Sequence, residues 1–278
     1  MKIVRFDLGD GRPRCGYIDG DAVVESATDN PLEVPAAHSL DRYQLDSVRL
    51  LSPILRPRKF LAVGLNYPLH VGEAGFETPT FPRIFNKQTT CLAGPGDGVQ
   101  LNPSLPTLDY EGELGVVIGE YCRNVSEDEA PGVVAGYVAL NDITIRQVQI
   151  RSPTITLAKS GDTHGPVGPW LVTPDEIADP GSLNIRTFVD EEKVQDFNTS
   201  DMIFSIPHLI SVISGLFTLE PGDLIATGTG EGVGAASKPM RWLRSGQTVT
   251  VVIDGLGSLA NPVVEMADKA EPVRIPVV

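Results

Sequence analysis

Basic residues are scarce in this sequence, and it contains no long apolar segment. Its 278 residues include 22 Lys and Arg against 36 Asp and Glu, a formal net charge of −14 at pH 7. An acidic surface repels phosphate backbones, and no basic stripe is visible, which argues against binding to nucleic acid. The longest mainly apolar run, Gly132 to Leu140, is too short to cross a membrane. We therefore expect partners other than nucleic acid or membrane.

Cysteine is also rare. The three cysteines, Cys15, Cys91 and Cys122, are odd in number and lack Cys-x-x-Cys spacing, which favours a reducing compartment. The first residues, from Met1-Lys2 onward, soon include acidic residues and glycines and lack the apolar core of a secretory signal peptide. We therefore expect a cytoplasmic protein whose cysteines are small buried side chains.

Glycine and proline, in contrast, are abundant and dispersed, with 28 Gly and 23 Pro. Turn-forming residues between short β-prone runs indicate many strands joined by tight turns. Three such runs precede a linker rich in Pro and Arg that ends near Pro57. The sequence therefore predicts a small β-rich domain over 1–57 and a larger domain over 58–278. The N-terminal runs are Lys2–Phe6, Arg14–Ile18 and Ala22–Glu25.

Strands also dominate the larger domain. Only two helical segments are predicted there: Ser126–Glu129, which opens like a capping box, and Ile206–Phe217. Because strands outnumber helices and do not alternate with them strictly, we predict a β-rich α+β fold rather than a doubly wound α/β fold. The predicted strands are Phe60–Gly64, Glu111–Ile118, Val133–Leu140, Leu183–Val189, Asp223–Ala226, Thr248–Ile253 and Ser258–Val264.

Acidic side chains alternate along Asp109-Tyr110-Glu111-Gly112-Glu113, and a further acid, Asp142, follows an apolar run. On one strand Asp109, Glu111 and Glu113 would share a face, where carboxylates repel unless one is protonated or a cation lies between them. A cluster of carboxylates without His or Cys ligands suits a hard cation such as Mg²⁺ or Mn²⁺. Two alternatives remain open at this point: an exposed acidic strand end and, for Asp142, a helix N-cap.

A second candidate is the pair His70 and Glu73, spaced as neighbours on one helical turn. A carboxylate behind an imidazole fixes its tautomer and raises its basicity, as a general base acting on water requires. Gly72 and Gly75 weaken the helix, which is compatible with a lid. A solvated surface pair is the alternative.

Two loops carry the remaining candidates. Lys159 lies in a turn-rich loop, where a lysine either neutralises a substrate carboxylate or enolate or is simply exposed. His164, in the same loop, is expected to be an ordinary loop histidine rather than a second base. The glycine-rich segment Thr227–Gly234 lacks a following clean helix and a Gly-Lys-Ser/Thr sequence, so nucleotide binding is not indicated. Its backbone N–H groups and threonine hydroxyls suit a carboxylate instead.

Taken in order, these segments resemble the fumarylacetoacetate hydrolase superfamily from Lys59 to Val264. The resemblance implies a mixed β-roll or β-sandwich catalytic domain, a homodimer, and one Mg²⁺ or Mn²⁺ per subunit held by Glu111, Glu113 and Asp142. The matching segments are Val63–Tyr67 with His70 and Glu73, Gly94–Asp97, Asp109–Leu114, Asn141–Asp142, Lys159–Ser160, Gly168–Trp170, Asn198–Phe204, Leu219–Asp223 and Ala226–Thr229.

The same resemblance implies roles for the other candidates. His70 and Glu73 would orient or deprotonate water, and Lys159 would lie against the substrate's oxygens. The positions that contact substrate in the family correspond to Arg146, Gln149 and Thr229. The chain departs from the common family residues at Gln147, Gly230 and His164, where Asp, Pro and Phe are frequent. These departures leave the metal ligands intact and the identity of the substrate open.

The expected function is divalent-metal-dependent hydrolysis of a carbon–carbon bond in a 2,4-dioxo acid of the acylpyruvate type. One alternative is decarboxylation of oxaloacetate or a related β-keto acid, with or without keto–enol isomerisation. Hydration or dehydration of 2-oxo-3-deoxy sugar acids is another. The non-enzymatic alternative is a scaffold protein that binds metal and a keto acid without catalysis, and the intact set of candidate residues argues against it.

Overall fold

A computed structural model describes residues 1–36 and 39–266 of the chain. Strands dominate these residues, as the sequence predicted, and the β-rich α+β fold is confirmed. The strands are β1 Lys2–Asp7, β2 Arg14–Asp19, β3 Ala22–Ser26, β4 Ser39–Gln44, β5 Arg49–Leu51, β6 Phe60–Gly64, β7 Arg83–Lys87, β8 Leu92–Ala93, β9 Val99–Leu101, β10 Leu108–Asp109, β11 Gly112–Ile118, β12 Val134–Asn141, β13 Thr144–Ile145, β14 Gly165–Val172, β15 Asn184–Val189, β16 Glu192–Asn198, β17 Leu224–Ala226, β18 Thr248–Ile253 and β19 Gly257–Glu265. The α-helices in the same residues are α1 Pro68–Glu73, α2 Arg146–Gln149, α3 Thr156–Lys159 and α4 Ile206–Leu216.

The strands form three sheets within the described part of the chain. The largest has twelve strands in the order β4-β3-β2-β1-β14-β12-β11-β17-β6-β7, with β5 beside β1 and β8 beside β14. A five-stranded sheet has the order β16-β15-β18-β19-β9, and β10 pairs with β13 alone. The N-terminal strands are hydrogen-bonded to the rest through β1 and β14, where Ile3 lies opposite Leu171. Whether residues 1–57 form an independent unit stays a prediction.

The central strand β11 explains why the sheets pack together. All seven of its residues are buried, as expected for an apolar run covered on both faces. Leu114 and Val116 pack in the core that contains the five-stranded sheet and α4, whereas Val117 packs on the opposite side against Val138. Each such side chain removed from water contributes about 1.5–3 kcal/mol. Strand β11 therefore fixes the position of the residues that adjoin its N-terminal end.

The helix predictions had different outcomes. Helix α4 is confirmed, and Ser205 Oγ accepts a hydrogen bond from the His208 N–H at 3.3 Å as an N-cap. The helix predicted at Ser126–Glu129 is wrong. The reciprocal capping bonds do form, from Glu129 N–H to Ser126 Oγ at 3.3 Å and from Ser126 N–H to Glu129 Oε2 at 3.0 Å. The segment is nevertheless only a turn before a 3₁₀ helix over Ala130–Val133, because the glycine there disfavours an α-helix and β12 begins immediately afterwards.

A membrane-spanning helix is missing from residues 1–36 and 39–266: none of their helices is long and apolar enough to cross a bilayer.

Candidate active site

The predicted metal ligands come together where β11 begins and β12 ends. Glu111 and Glu113 flank the first residue of β11, and that residue lies opposite Asn141 at the end of β12. The Asp142 N–H donates to the Glu111 carbonyl at 2.8 Å, and Asn141 Oδ1 accepts the Glu111 N–H at 3.0 Å. One carboxylate oxygen each from Glu111, Glu113 and Asp142 lies within 4.8 Å of the others. The β11–β12 register thus brings together acids that are 31 residues apart in the chain.

These carboxylates are buried: Glu111, Glu113 and Asp142 are 5%, 2% and 1% exposed. The alternative interpretation, in which these acids form an exposed strand end, is therefore wrong. Burial raises the pKa of Glu113 well above its usual range, and the carboxylates of Asp142 and Glu111 raise it further. Burial acts in the same direction on Glu111, but the Lys159 ammonium and then the Arg146 guanidinium lower its pKa to about 2. A compact, dry group of oxygen donors that repel one another fits a hard divalent cation.

Asp109 does not join this group, so the predicted row of three acids on one strand is wrong. It ends β10, which pairs with β13, whereas the chain changes partner to β12 from Gly112 onward. The carboxylate of Asp109 instead accepts the Gly234 N–H at 2.8 Å and lies 2.8 Å from Arg146 Nε. The alternative reading of Asp142 as a helix N-cap is also wrong, because Ile145 is the residue that precedes α2.

Two buried lysines face the acids. Lys159 Nζ lies 2.5 Å from Glu111 Oε2 and 2.8 Å from Asp142 Oδ2, so the exposed lysine considered from the sequence is wrong. Lys87, which sequence reasoning missed, lies with Nζ 2.5 Å from Asp142 Oδ1 and 3.0 Å from the His164 carbonyl oxygen. It also contacts the Lys159 carbonyl. A single lysine at the end of a strand offers no local signal for such a position.

Helix α2 presents Arg146 and Gln149 beside the acids. Arg146 Nη2 lies 2.7 Å from Glu111 Oε1, and Nη1 donates to Gln149 Oε1 at 3.0 Å. The hydrogen bonds to Asp109 and Gln149 and the ion pair with Glu111 thus hold the guanidinium group from three sides. The helix thus supplies a rigidly held cation next to Glu111.

The predicted pair of His70 and Glu73 lies on α1. His70 Nδ1 is 2.8 Å from Glu73 Oε1, and Glu73 Oε2 accepts the Gly232 N–H at 3.0 Å. His70 is buried, so a freely solvated surface pair is excluded. Since the carboxylate accepts the Nδ1 proton, the other ring nitrogen, Nε2, carries the lone pair. That geometry gives the imidazole a basic nitrogen of fixed orientation.

The glycine-rich loop binds carboxylates, but they belong to the protein itself. The Gly228 N–H donates to Glu113 Oε2 at 2.8 Å, in addition to the bonds from Gly232 and Gly234 described above. Thr229 Oγ1 donates to the Gly112 carbonyl at 2.9 Å and accepts from Gln195 Nε2 at 2.9 Å. The backbone N–H groups of the loop thus bind the carboxylates of Glu113, Glu73 and Asp109, whereas binding of a substrate carboxylate by this loop stays a prediction.

One cleft collects the predicted residues. It has a volume of about 970 Å³. Every predicted site residue except the buried Glu113 lines it: His70, Glu73, Glu111, Asp142, Arg146, Gln149, Lys159 and Thr229. His164 is not part of the lining. It is a buried histidine with Nε2 2.8 Å from the Gln100 carbonyl oxygen, and burial lowers its pKa to about 4.

Two known sequence families match this chain. Residues 59–264 match the fumarylacetoacetate (FAA) hydrolase C-terminal family, and residues 1–53 match the Rv2993c-like N-terminal family.

Solved structures of similar proteins cover nearly the whole chain. A 2-hydroxyhepta-2,4-diene-1,7-dioate isomerase from Mycobacterium marinum is 36% identical, with a TM-score of 0.83 over 95% of this chain and 98% of that one. A fumarylacetoacetate hydrolase from Exiguobacterium antarcticum is 34% identical, with a TM-score of 0.83 over 96% and 100%. A maleylpyruvate hydrolase from Sphingobium sp. SYK-6 is 31% identical, with a TM-score of 0.77 over 96% and 100%.

Proposed function

The chain belongs to the fumarylacetoacetate hydrolase family, and from this premise we propose that it is a divalent-metal-dependent hydrolase of acylpyruvate-like 2,4-dioxo acids. The observation that carries the proposal is one cleft whose lining contains buried carboxylates, Lys159 and the His70–Glu73 pair. Acids that can hold a metal ion and a general base in the same cleft are what the addition of water to a dioxo acid requires.

The carboxylates of Glu111, Glu113 and Asp142 would hold one Mg²⁺ or Mn²⁺ per subunit. Such an ion would supply a Lewis acid that stabilises negative charge developing on the oxygens of a substrate. The oxygen donor set, its burial and the raised pKa of Glu113 support this assignment.

His70 would act as the general base. Its Nε2 takes a proton from water, while Glu73 stabilises the resulting imidazolium through the 2.8 Å contact at Nδ1. The hydroxide adds to the distal carbonyl carbon, and the bond from that carbon to C3 breaks. The electron pair stays on the pyruvate enolate, which then takes up a proton at C3.

The remaining residues would position and stabilise the substrate. Lys159 brings an ammonium group next to Glu111 and Asp142, where it lowers the energy of the enolate oxygen. Arg146 and Gln149 are held as a hydrogen-bonded pair at 3.0 Å and line the same cleft, and Thr229 lines it from the glycine-rich loop. We assign substrate binding to these three residues.

Isomerisation is the second candidate, because the Mycobacterium marinum structure of 36% identity carries an isomerase name. An isomerase would use the ion held by the same acids, together with Lys159, to stabilise an enolate, but no carbon–carbon bond would break. The two reactions therefore differ in their products: hydrolysis yields pyruvate and a second acid, whereas isomerisation conserves the mass of the substrate.

The test is a substrate panel led by acetylpyruvate and fumarylpyruvate. The enol absorbance is followed after EDTA treatment and after restoring Mg²⁺ or Mn²⁺, and the same samples are assayed for pyruvate and the released acid. Loss of absorbance that depends on the metal and forms pyruvate supports the hydrolase. Metal-dependent spectral change without new carboxylic acids supports the isomerase, and consumption of oxaloacetate alone would point to the decarboxylase.

A further inference from the structure

Strand β7 forms one wall of the cleft and carries a row of residues that leads away from the acids. Alternate residues of a strand share a face, so Arg83, Phe85 and Lys87 lie in one row. Lys87 contacts Asp142 at the inner end, and Lys159 Nζ lies 5.7 Å from the centroid of the Phe85 ring. Arg83 is at the outer end of this row and also lines the cleft. At about 3.3 Å per residue, it is roughly 13 Å along the strand from Lys87.

Arg83 differs from the other cations of the cleft in having no acid beside it. Among the described lining residues, the Lys and Arg side chains are Arg83, Arg146 and Lys159. The last two contact carboxylates of the site, whereas no carboxylate of the described residues pairs with Arg83. A positive charge that lines a binding cleft without an internal acidic partner is available to a ligand anion.

The surroundings of Arg83 favour such a ligand. Its guanidinium carbon lies 5.6 Å from the centroid of the Phe76 ring, and stacking on an aromatic face leaves the N–H edge of the fork free.

We propose that Arg83 binds a second carboxylate at the distal end of the substrate, so that the enzyme prefers dicarboxylic 2,4-dioxo acids over acylpyruvates with an uncharged acyl group. This inference rests on the proposed function. With bonds of about 1.5 Å, a seven-carbon diacid spans roughly 7 Å, and an arginine side chain that leans along the strand reaches roughly 6 Å from its Cα. Together these lengths cover the roughly 13 Å of β7 between Lys87 and Arg83.

The experiment compares acetylpyruvate, a monoacid, with fumarylpyruvate, a diacid, in the Mn²⁺-loaded full-length protein. Wild type, Arg83→Met and Arg83→Lys are assayed, with Arg12→Met as a control that removes one exposed arginine from a turn outside the cleft lining. We expect the diacid-to-monoacid ratio of kcat/KM to fall roughly 10- to 100-fold in Arg83→Met, mainly through KM. Arg83→Lys should retain part of the ratio, and Arg12→Met should retain all of it. A ratio in Arg83→Met within twofold of wild type overturns the proposal.

Equilibrium binding of fumarylpyruvate, measured by calorimetry on the same proteins, separates this inference from the proposed function. If wild type turns over neither acid, the hydrolase proposal fails, but Arg83 is still tested by binding. Diacid binding weakened at least tenfold in Arg83→Met and not in Arg12→Met supports its role, and equal binding in both overturns it. Circular dichroism of each variant confirms that the fold is retained.

Discussion

Replacing Lys87 by methionine removes a buried positive charge and keeps most of the side-chain volume, and we expect it to cost about 3–5 kcal/mol of stability. Lys87 is fully buried, with Nζ 2.5 Å from Asp142 Oδ1 and 3.0 Å from the His164 carbonyl oxygen. Without it, Lys159 is the one cation left in contact with Asp142 among the described residues. The cost is the penalty of a buried carboxylate that has lost one of its two charged partners.

The expected change in melting temperature follows from the size of the chain. Each kcal/mol shifts the midpoint of a protein this large by about 2–4 °C, so Lys87→Met should melt roughly 6–20 °C below wild type in EDTA. Adding Mn²⁺ should raise the midpoint of the variant more than that of wild type. A dication replaces the missing charge beside Asp142, and a ligand that binds only the folded state stabilises it by mass action.

Lys59→Met is the matched control, measured by the same thermal unfolding. Lys59 Nζ also contacts two carboxylates, at 2.6 Å from Glu220 and 3.0 Å from Asp223, but its side chain is 26% exposed. Water screens the partly exposed ammonium group, and the buried Asp223 keeps hydrogen bonds from the N–H groups of Lys59 and Glu220, so we expect Lys59→Met to cost less stability than Lys87→Met. If Lys87→Met melts within about 2 °C of Lys59→Met and responds equally to Mn²⁺, the argument from burial is refuted.

Three further outcomes are expected. Elemental analysis should find no Mn²⁺ in Glu113→Gln, and this variant should be inactive. His70→Ala should retain Mn²⁺, and its kcat should fall about 10²- to 10⁴-fold. A metal-free Glu113→Gln that is still active would contradict the ligand assignment. Burial lowers the pKa of His164 from 6.5 to about 4. As the pH drops from 6.5 to 4, the unfolded state takes up this proton before the folded state does, so the free energy of unfolding falls by about 3 kcal/mol. Urea unfolding at pH 7 and pH 4.5 should therefore show a smaller loss of stability in His164→Phe than in wild type. Gly230→Ala would place a Cβ 2.3 Å from the Phe197 ring and should lower stability by about 1–3 kcal/mol in the same assay, and an unchanged midpoint would exclude that clash.

The strands beside the site were predictable because their sequences are short apolar runs bounded by polar or turn-forming residues. Strands β11, β12 and β17 lie within one residue of the predicted bounds. The ligand candidates were found for the same reason, since Glu111, Glu113 and Asp142 adjoin the ends of two such runs. An acid next to a buried strand is visible in the sequence even when its partner strand is not.

Contacts between distant segments were not predictable from local patterns. Lys87 and Asp142 are 55 residues apart, and Gln195 reaches Thr229 across 34 residues. The position of Asp109 was predicted wrongly for a related reason. A period of two holds only while a strand keeps its partner, and here the chain leaves β13 before it joins β12.

The glycine-rich loop after β17 binds carboxylates because of the backbone conformation of its glycines. Gly228 and Gly232 have φ values of +101° and +93°, and a Cβ at either would meet Asn66 or the Val194 carbonyl at less than 3 Å. Their N–H groups are thereby turned toward Glu113 and Glu73, one from the acid cluster and one from the base. Because this loop bonds both, a change in its conformation would move the proposed ligand and the proposed base together. The glycines therefore fix the distance between the two halves of the site, and the anions that the loop binds are the protein's own.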